Sequence, residues 1–466
     1  MARSWLYLIA TTSVVALSGC QAGQLPDLKK YNPFKAAADA SAEPEAKAVE
    51  AEAATDDVPS LASLISSADA NVNVDAGFAS AMKSALASDP YVLSAKSDAA
   101  ALKARVRTTT SQKDINFDAT ILGGVEDITD ETAGVAGIFR AKRMLFDGGR
   151  LDAQIAAETF AAEAADHTVA ATQNERAVTL AHAWIELERY RELKNLIDSR
   201  LEVLDPLLAQ LESVVKSGVG DASQIAAAQR TVSLIRVTQT DVTERYEQAK
   251  VDFVNLFGKL PAKSTYDAAK LSAAVPSAKA SVLAEKAPAL LARYAEYRAA
   301  EARLAAVKAQ DNFNVGFEAK LQKPLGGSDY SSDESVGLVI TRTLFKGDQL
   351  TSQIDNADSN AKAKAEQVRS TYVVGERALN SARQMISSMD KAIALSRDNA
   401  RIARDEIAYL RKQLIIGGST LDSVLAAEAR LYDAESKEIG FRAERRKAEA
   451  TILGTTGLLA KAVGAQ

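Results

Sequence analysis

Asn312-Phe313-Asn314-Val315-Gly316-Phe317-Glu318-Ala319-Lys320-Leu321-Gln322 is the stretch on which the reading of this chain turns. Five apolar residues alternate strictly with six that are polar or glycine. In an extended strand successive side chains point to opposite faces, so one face here is wholly apolar and the other polar or small. Val336, Leu338 and Ile340 continue the pattern on a partner strand. Ile115, Phe117, Ala119 and Ile121 show it earlier, and Arg140 and Lys142 share a face of the following strand. Strands of about ten residues with one apolar face suit an outer-membrane barrel, lipid outside and water inside. Asn312, Asn314, Glu318 and Lys320 are then the candidates to line water. The alternation alone fits a half-buried soluble sheet equally well. Four such strands cannot close a barrel, because small barrels need about eight. Open edges are not tolerated in lipid, so a membrane reading requires several chains to share one barrel.

Outward from the strands the sequence is helical. The pattern from Gly149 to Lys216 would span roughly 100 Å at about 1.5 Å per residue. A break, Ser217-Gly218-Val219-Gly220-Asp221, separates it from a second long helix that ends near Gly258. Ile225, Ala228, Val232, Ile235, Val242, Tyr246, Ala249, Phe253 and Leu256 keep alternating spacings of three and four, interrupted only by Gln239. Ile197, Leu201, Leu204, Leu208, Leu211 and Val215 do the same before the break. Ile386, Met389, Ile393, Ala400, Ala403, Ile407, Leu410 and Leu414 repeat it later, with Ser396 in the series. Such spacing sets one apolar seam against a neighbouring helix. Each half therefore reads as an antiparallel helical hairpin. Its turns are Gly218, Val219, Gly220 and Asp221 in the first half, and Gly417, Gly418, Ser419, Thr420 and Leu421 in the second. Glycine permits the positive φ of a tight reversal, and Asp221 and Thr420 are candidate caps of the returning helices.

The order of landmarks is duplicated. Asp89-Pro90 recurs as Ala287-Pro288, Asn116-Phe117 as Asn312-Phe313, Leu145-Phe146-Asp147-Gly148 as Leu344-Phe345-Lys346-Gly347, and Gly218 as Gly417. The near-constant offset of about two hundred residues implies a duplicated domain. The expected fold is mainly α with a small antiparallel β part. The first repeat is 76–260, the linker 261–280, the second repeat 281–460 and the tail 461–466.

With 47% hydrophobic and 25% charged residues the 466-residue chain has ample material for a core, while aromatics are only 6%. A formal charge of −5 gives no basic excess for nucleic acid. Arg3, an apolar run from Trp5 to Leu17 and then Leu17-Ser18-Gly19-Cys20 read as a signal peptide, residues 1–19, too short to span a bilayer. The small residues before Cys20 resemble the bacterial lipobox, which implies lipidation of Cys20. Gln21, in place of an inner-membrane retention signal, favours the outer membrane. Residues 20–75 read as a flexible, lipid-anchored tether. His167 and His182 are too far apart for a usual metal pair, no glycine motif matches a phosphate loop, and no catalytic pair of carboxylates stands out. No enzyme, cofactor or metal site is read from the sequence.

The whole pattern resembles the TolC family of outer-membrane efflux and secretion channels. Leu145-Phe146-Asp147-Gly148-Gly149-Arg150 at the strand-to-helix junction, the glycine-marked turns and the duplicated order carry the resemblance from about Ala76 onward. It implies a homotrimer with a twelve-strand barrel above an α-helical periplasmic tunnel. The turns would form the entrance and dock a periplasmic membrane-fusion adaptor and an inner-membrane ABC or proton-driven pump. The Asp-Gly-Gly-Arg junction is similar to that of the type I secretion branch, whereas a lipobox is commoner in the drug and metal efflux branch, so the cargo stays open. Acidic rings narrow the entrance in some members, and the matching positions here are Ser423 and Ala426. The alternative reading is a lipid-anchored periplasmic coiled-coil scaffold or adaptor that never crosses the membrane.

Overall fold

A computed structural model describes residues 59–66, 72–125, 133–216, 222–262, 268–325, 330–343, 347–416 and 418–465. Cys20, with the signal peptide and most of the tether, lies outside them. The fold below belongs to the unit Leu61–Gln466.

After the short α1 (Leu61–Ser66), the first half comprises α2 (Phe78–Ser88), α3 (Pro90–Thr110), β1 (Asn116–Val125), β2 (Ala133–Phe146), α4 (Arg150–Lys216) and α5 (Ala222–Phe257). Two short helices follow, α6 (Ala268–Ala274) and α7 (Ala280–Glu285). The second half is α8 (Pro288–Lys308), β3 (Asn314–Leu325), β4 (Asp333–Thr341), α9 (Gln349–Ile415) and α10 (Leu421–Thr455), closed by α11 (Leu459–Ala462). α4 and α9 each contain 67 residues, roughly 100 Å of helix at about 1.5 Å per residue.

The first repeat opens on two helices, α2 and α3, divided at Asp89-Pro90. Proline fixes φ and lacks an N–H, so it fits the first position of a new helix. The Asp89 carboxylate accepts from the N–H groups of Tyr91 (3.0 Å) and Val92 (3.3 Å) and from Arg176 Nε (2.7 Å). The counterpart at Ala287-Pro288 has the proline but no side-chain cap. The stretch 261–280, read as a linker, contains α6, whose Leu271 is buried in the main core.

The main core packs four aromatics around α4. Trp184 meets Phe78, Phe253 and Phe257 edge-on at 5.5, 5.3 and 5.7 Å, and Phe253 stacks on Phe257 at 4.3 Å. Edge-to-face and offset pairs of this kind add about 0.5–1.5 kcal/mol each beyond area burial. Met82, Leu86, Leu180, Leu271, Leu453 and Leu459 complete it. Elsewhere small residues let helices approach closely. Ala292, Ala295, Ala299 and Ala300 of α8 are buried, and a Cβ on Gly454 of α10 would sit 2.1 Å from Val178 Cγ2 of α4.

The long helices lie side by side, with α4 against both α5 and α10, and α9 against α10. Val232, Ile235, Val242, Ala249 and Phe253 are buried along the α5 seam, as are Ile197, Leu201 and Leu204 on α4. Gln239, the polar interruption, donates to Asp198 Oδ1 on α4 at 2.7 Å, so the break in the stripe is satisfied. Ile393, Ala400, Ala403 and Ile407 are buried on α9. The side chains of Leu208, Leu211, Val215, Ile225 and Ala228 lie outside the described set. Ion pairs lace α10 to both neighbours, including Arg446–Glu188 (3.0 Å), Arg442–Glu192 (2.6 Å) and Arg397–Glu438 (2.8 Å).

The four strands form one antiparallel sheet in the order β1-β2-β3-β4, and the central β2–β3 pairing joins the halves. β1 and β4 are its two edges.

Candidate channel wall and hairpin turns

The strand register makes the sheet two-faced across its full width. Residues directly opposite in an antiparallel pair share a face. Phe117, Ala141, Ala319 and Val336 therefore form one row, and Ala119, Phe139, Leu321 and Glu334 the next. This face is uncovered: Phe117 is 80% exposed, Ile121 75%, Val336 76% and Ile340 71%. On the opposite face Asp118, Arg140, Lys320 and Ser335 form one row, and Asn116, Lys142, Glu318 and Gly337 the row beside it. Lys142 pairs with Glu318 (3.5 Å) and Lys320 with Asp333 (3.0 Å). Three of the four candidate water-lining residues, Asn314, Glu318 and Lys320, are thus brought to one charged face.

Asn312 is not. It precedes β3, and its Nδ2 donates to the Gly148 carbonyl at 3.2 Å. It ties the start of β3 to the junction after β2. At that junction Asp147 is buried, and its carboxylate accepts from Gly149 N (3.1 Å) and Leu151 N (2.7 Å), capping α4. Gly148 and Gly149 take φ of 67° and 84°, the left-handed region where glycine carries no Cβ penalty. At Gly148 a Cβ would also lie 2.3 Å from Asn312 Nδ2. The Asp-Gly-Gly sequence is therefore a strand-to-helix corner.

Of the hairpin turns, Gly218, Val219, Gly220, Asp221 and Gly417 lie outside the described residues. At the second turn Gly418 N–H bonds Gln413 O (2.9 Å), closing α9 with a wide terminal bond. Gly418 itself has no positive φ. Ser419 is half-buried and Thr420 exposed; Thr420 Oγ1 accepts from Ser423 N (3.3 Å) and caps α10. Leu421 is buried with Val424 and Leu425 against Leu201 and Leu204 of α4, which fixes this turn to the neighbouring hairpin. Arg411 pairs with Glu428 (2.8 Å), and the Arg200 guanidinium lies 4.9 Å from the centre of the Tyr432 ring. Burial pulls Arg200 below the usual guanidinium range and pushes the Tyr432 hydroxyl up.

Residues 280–458, nearly all of the second half, match the family of outer membrane efflux proteins. The second half of this chain is thus similar to outer membrane efflux proteins.

Its fold is that of solved outer-membrane channels. CusC, whose structures concern folding and transmembrane channel formation, superposes with a TM-score of 0.69 at 16% identity, over 83% of this chain and 92% of CusC. The outer membrane protein VceC of Vibrio cholerae gives 0.68 at 16% identity, over 81% and 95%. The open state of the MtrE outer membrane channel of Neisseria gonorrhoeae gives 0.66 at 16% identity, over 80% and 87%. At these identities the likeness is one of fold. No curated protein matches the chain by sequence.

Outer membrane efflux proteins are channels rather than an enzyme class. Among the described residues of this chain, no cluster of three or more His, Cys, Asp or Glu side chains is placed to hold a metal. His182 Nε2 donates to the Lys447 carbonyl oxygen (3.3 Å), and burial holds its pKa below the usual imidazole value. At the positions matching the family's entrance rings, Ser423 is half-buried and Ala426 exposed, and the neighbouring Asp422 is also exposed. Sequence reasoning missed two features of the wall: the capping role of Asp147, and Arg143, which breaks the alternation of β2 and falls opposite Phe317. The first was legible as an Asp just ahead of a helical run.

The corner gives a test. Asp147→Ala should lower stability by about 1 kcal/mol, while Asp147→Asn, whose single amide oxygen can accept from only one of the two N–H groups, should lose less. Urea unfolding of the detergent-solubilised protein followed by helical circular dichroism distinguishes the two.

Proposed function

We propose that three copies of this chain close a twelve-stranded barrel in the outer membrane, continued by a helical duct through the periplasm, as the passive exit of a tripartite export system. The sheet carries this reading. It has an uncovered apolar face, a charged face and two open edges, and β2 turns directly into the 67-residue α4. β1 and β4 have 10 and 9 residues; at about 3.4 Å per residue and a tilt of about 45° they rise about 20–25 Å, the height of a barrel's apolar band. β4 of one copy would pair with β1 of the next, satisfying both edges. A periplasmic scaffold would leave Phe117, Ile121, Val336 and Ile340 in water, a patch that soluble monomers rarely present.

The partners on this reading are a periplasmic membrane-fusion adaptor and an inner-membrane ABC or proton-driven pump, docked at the hairpin turns. Cys20 would carry the lipid that holds the N-terminus at the membrane. The cargo is either a protein or a small molecule.

Purified trimer in planar bilayers should conduct ions. Val336→Arg puts a charge on the lipid face at a cost of about 2–4 kcal/mol near the midplane and should reduce assembly. Ser335→Arg, one residue away on the charged face, should assemble and conduct. Equal tolerance of the two would sink the barrel reading. Arg at Val219 or Glu at Ser419 should stop export in cells while trimer level and outer-membrane location stay normal; unimpaired export in both leaves these segments as turns. Cys20→Ser should abolish palmitate labelling, and persistent labelling would place the lipid elsewhere.

A further inference from the structure

We propose that Arg143 is a binding site for the headgroup phosphate of an anionic phospholipid, in the leaflet nearest the helices; the inference rests on the barrel reading above. Register puts Arg143 opposite Phe317, which in turn lies opposite Leu338, so its guanidinium belongs to the apolar face. Only three charged residues share this face among the described residues: Arg143, Lys323 and Glu334. Lys323 and Glu334 form an ion pair with each other, at the end of the sheet away from the helices. Arg143 is left exposed at the opposite end, with no ion-pair partner among the described residues.

Its surroundings define the ligand. Leu338, at the end of its row, is 66% exposed, Ile115, just before β1, is 45% exposed, and Leu145 and Phe146 follow Arg143 to the end of β2. Phe146 packs on Phe313 with ring centres 5.1 Å apart, an aromatic step where strand gives way to helix. Acyl chains would cover the apolar residues. The guanidinium lies three residues before the end of its strand, so its flexible stem can carry the charge to the phosphate layer. A planar guanidinium matches a phosphate oxygen pair with two parallel hydrogen bonds. A zwitterionic headgroup already compensates its phosphate with its own ammonium, so an uncompensated guanidinium selects a lipid with net negative charge.

The test is native mass spectrometry of the intact trimer from mild detergent, titrated separately with phosphatidylglycerol, phosphatidylethanolamine and inorganic phosphate. Wild type should retain phosphatidylglycerol about fivefold better per site than Arg143→Gln, the effect of one cation near an anionic lipid surface. Arg143→Lys should recover part of the difference. Phosphatidylethanolamine should be retained weakly by both, and inorganic phosphate by neither. Equal phosphatidylglycerol retention by wild type and Arg143→Gln trimers overturns the lipid site while leaving the barrel intact. Equal preference for inorganic phosphate would make the site a free-anion site and also overturns it. If wild type gives no trimer at all, the barrel reading fails and the inference falls with it.

Discussion

A backbone N–H or C=O in hydrocarbon has no water to bond, and leaving one unpaired costs several kcal/mol. The sheet joining β1 to β4 has two edges carrying such groups, and a face on which Phe117, Ile121, Val336 and Ile340 have nothing over them. Both features are unstable in an isolated chain. Pairing edge to edge with further copies removes the first, and surrounding the resulting wall with lipid removes the second. The remaining architecture is compatible with that solution. The central β2–β3 pairing ties the two halves of the chain into one segment of wall, and the Asp147-Gly148-Gly149 corner turns the strand directly into helix.

The helical part solves a different problem. Helices on the order of 100 Å long cannot be held by one compact core. Four aromatics meet at Trp184, where α2, α5, α6, α10 and α11 wrap α4. Farther along, the seams depend on alanines, on regularly spaced Ile, Leu and Val, and on cross-helix ion pairs. Pairs such as Arg397–Glu438 are largely exposed and individually contribute little, so their effect is on register more than on stability. Gly454 marks a point where α10 approaches α4 too closely for any side chain. The fold is thus tight at one level and a lattice of repeated, weaker contacts beyond it.

The polar face carries balanced charge. Lys142 with Glu318 and Lys320 with Asp333 offset one another, so neither sign dominates. A surface of that kind wets a passage without strongly holding an ion of either charge, which suits a passive duct better than a binding site.

The sequence alone determined the element types, their order and their duplication, because hydrophobic periodicity is local: period two over Phe313–Leu321, and three-four spacing over Val232–Phe253. The seams are where that spacing put them, and β3 (Asn314–Leu325) covers most of the alternating stretch. Tertiary structure decided what depends on a partner distant in the chain. Asn312 has the alternation of a strand residue, yet a carbonyl at Gly148, 164 positions away, takes its amide out of the wall. Leu271 looked like linker until a core formed around it, and Asp89 became the end of one helix and the cap of another once Arg176 lay beside it. Register is the clearest case. A slip of one residue would move every side chain to the other face, and only the pairing of β2 with β3 sets Arg143 among Phe317 and Leu338.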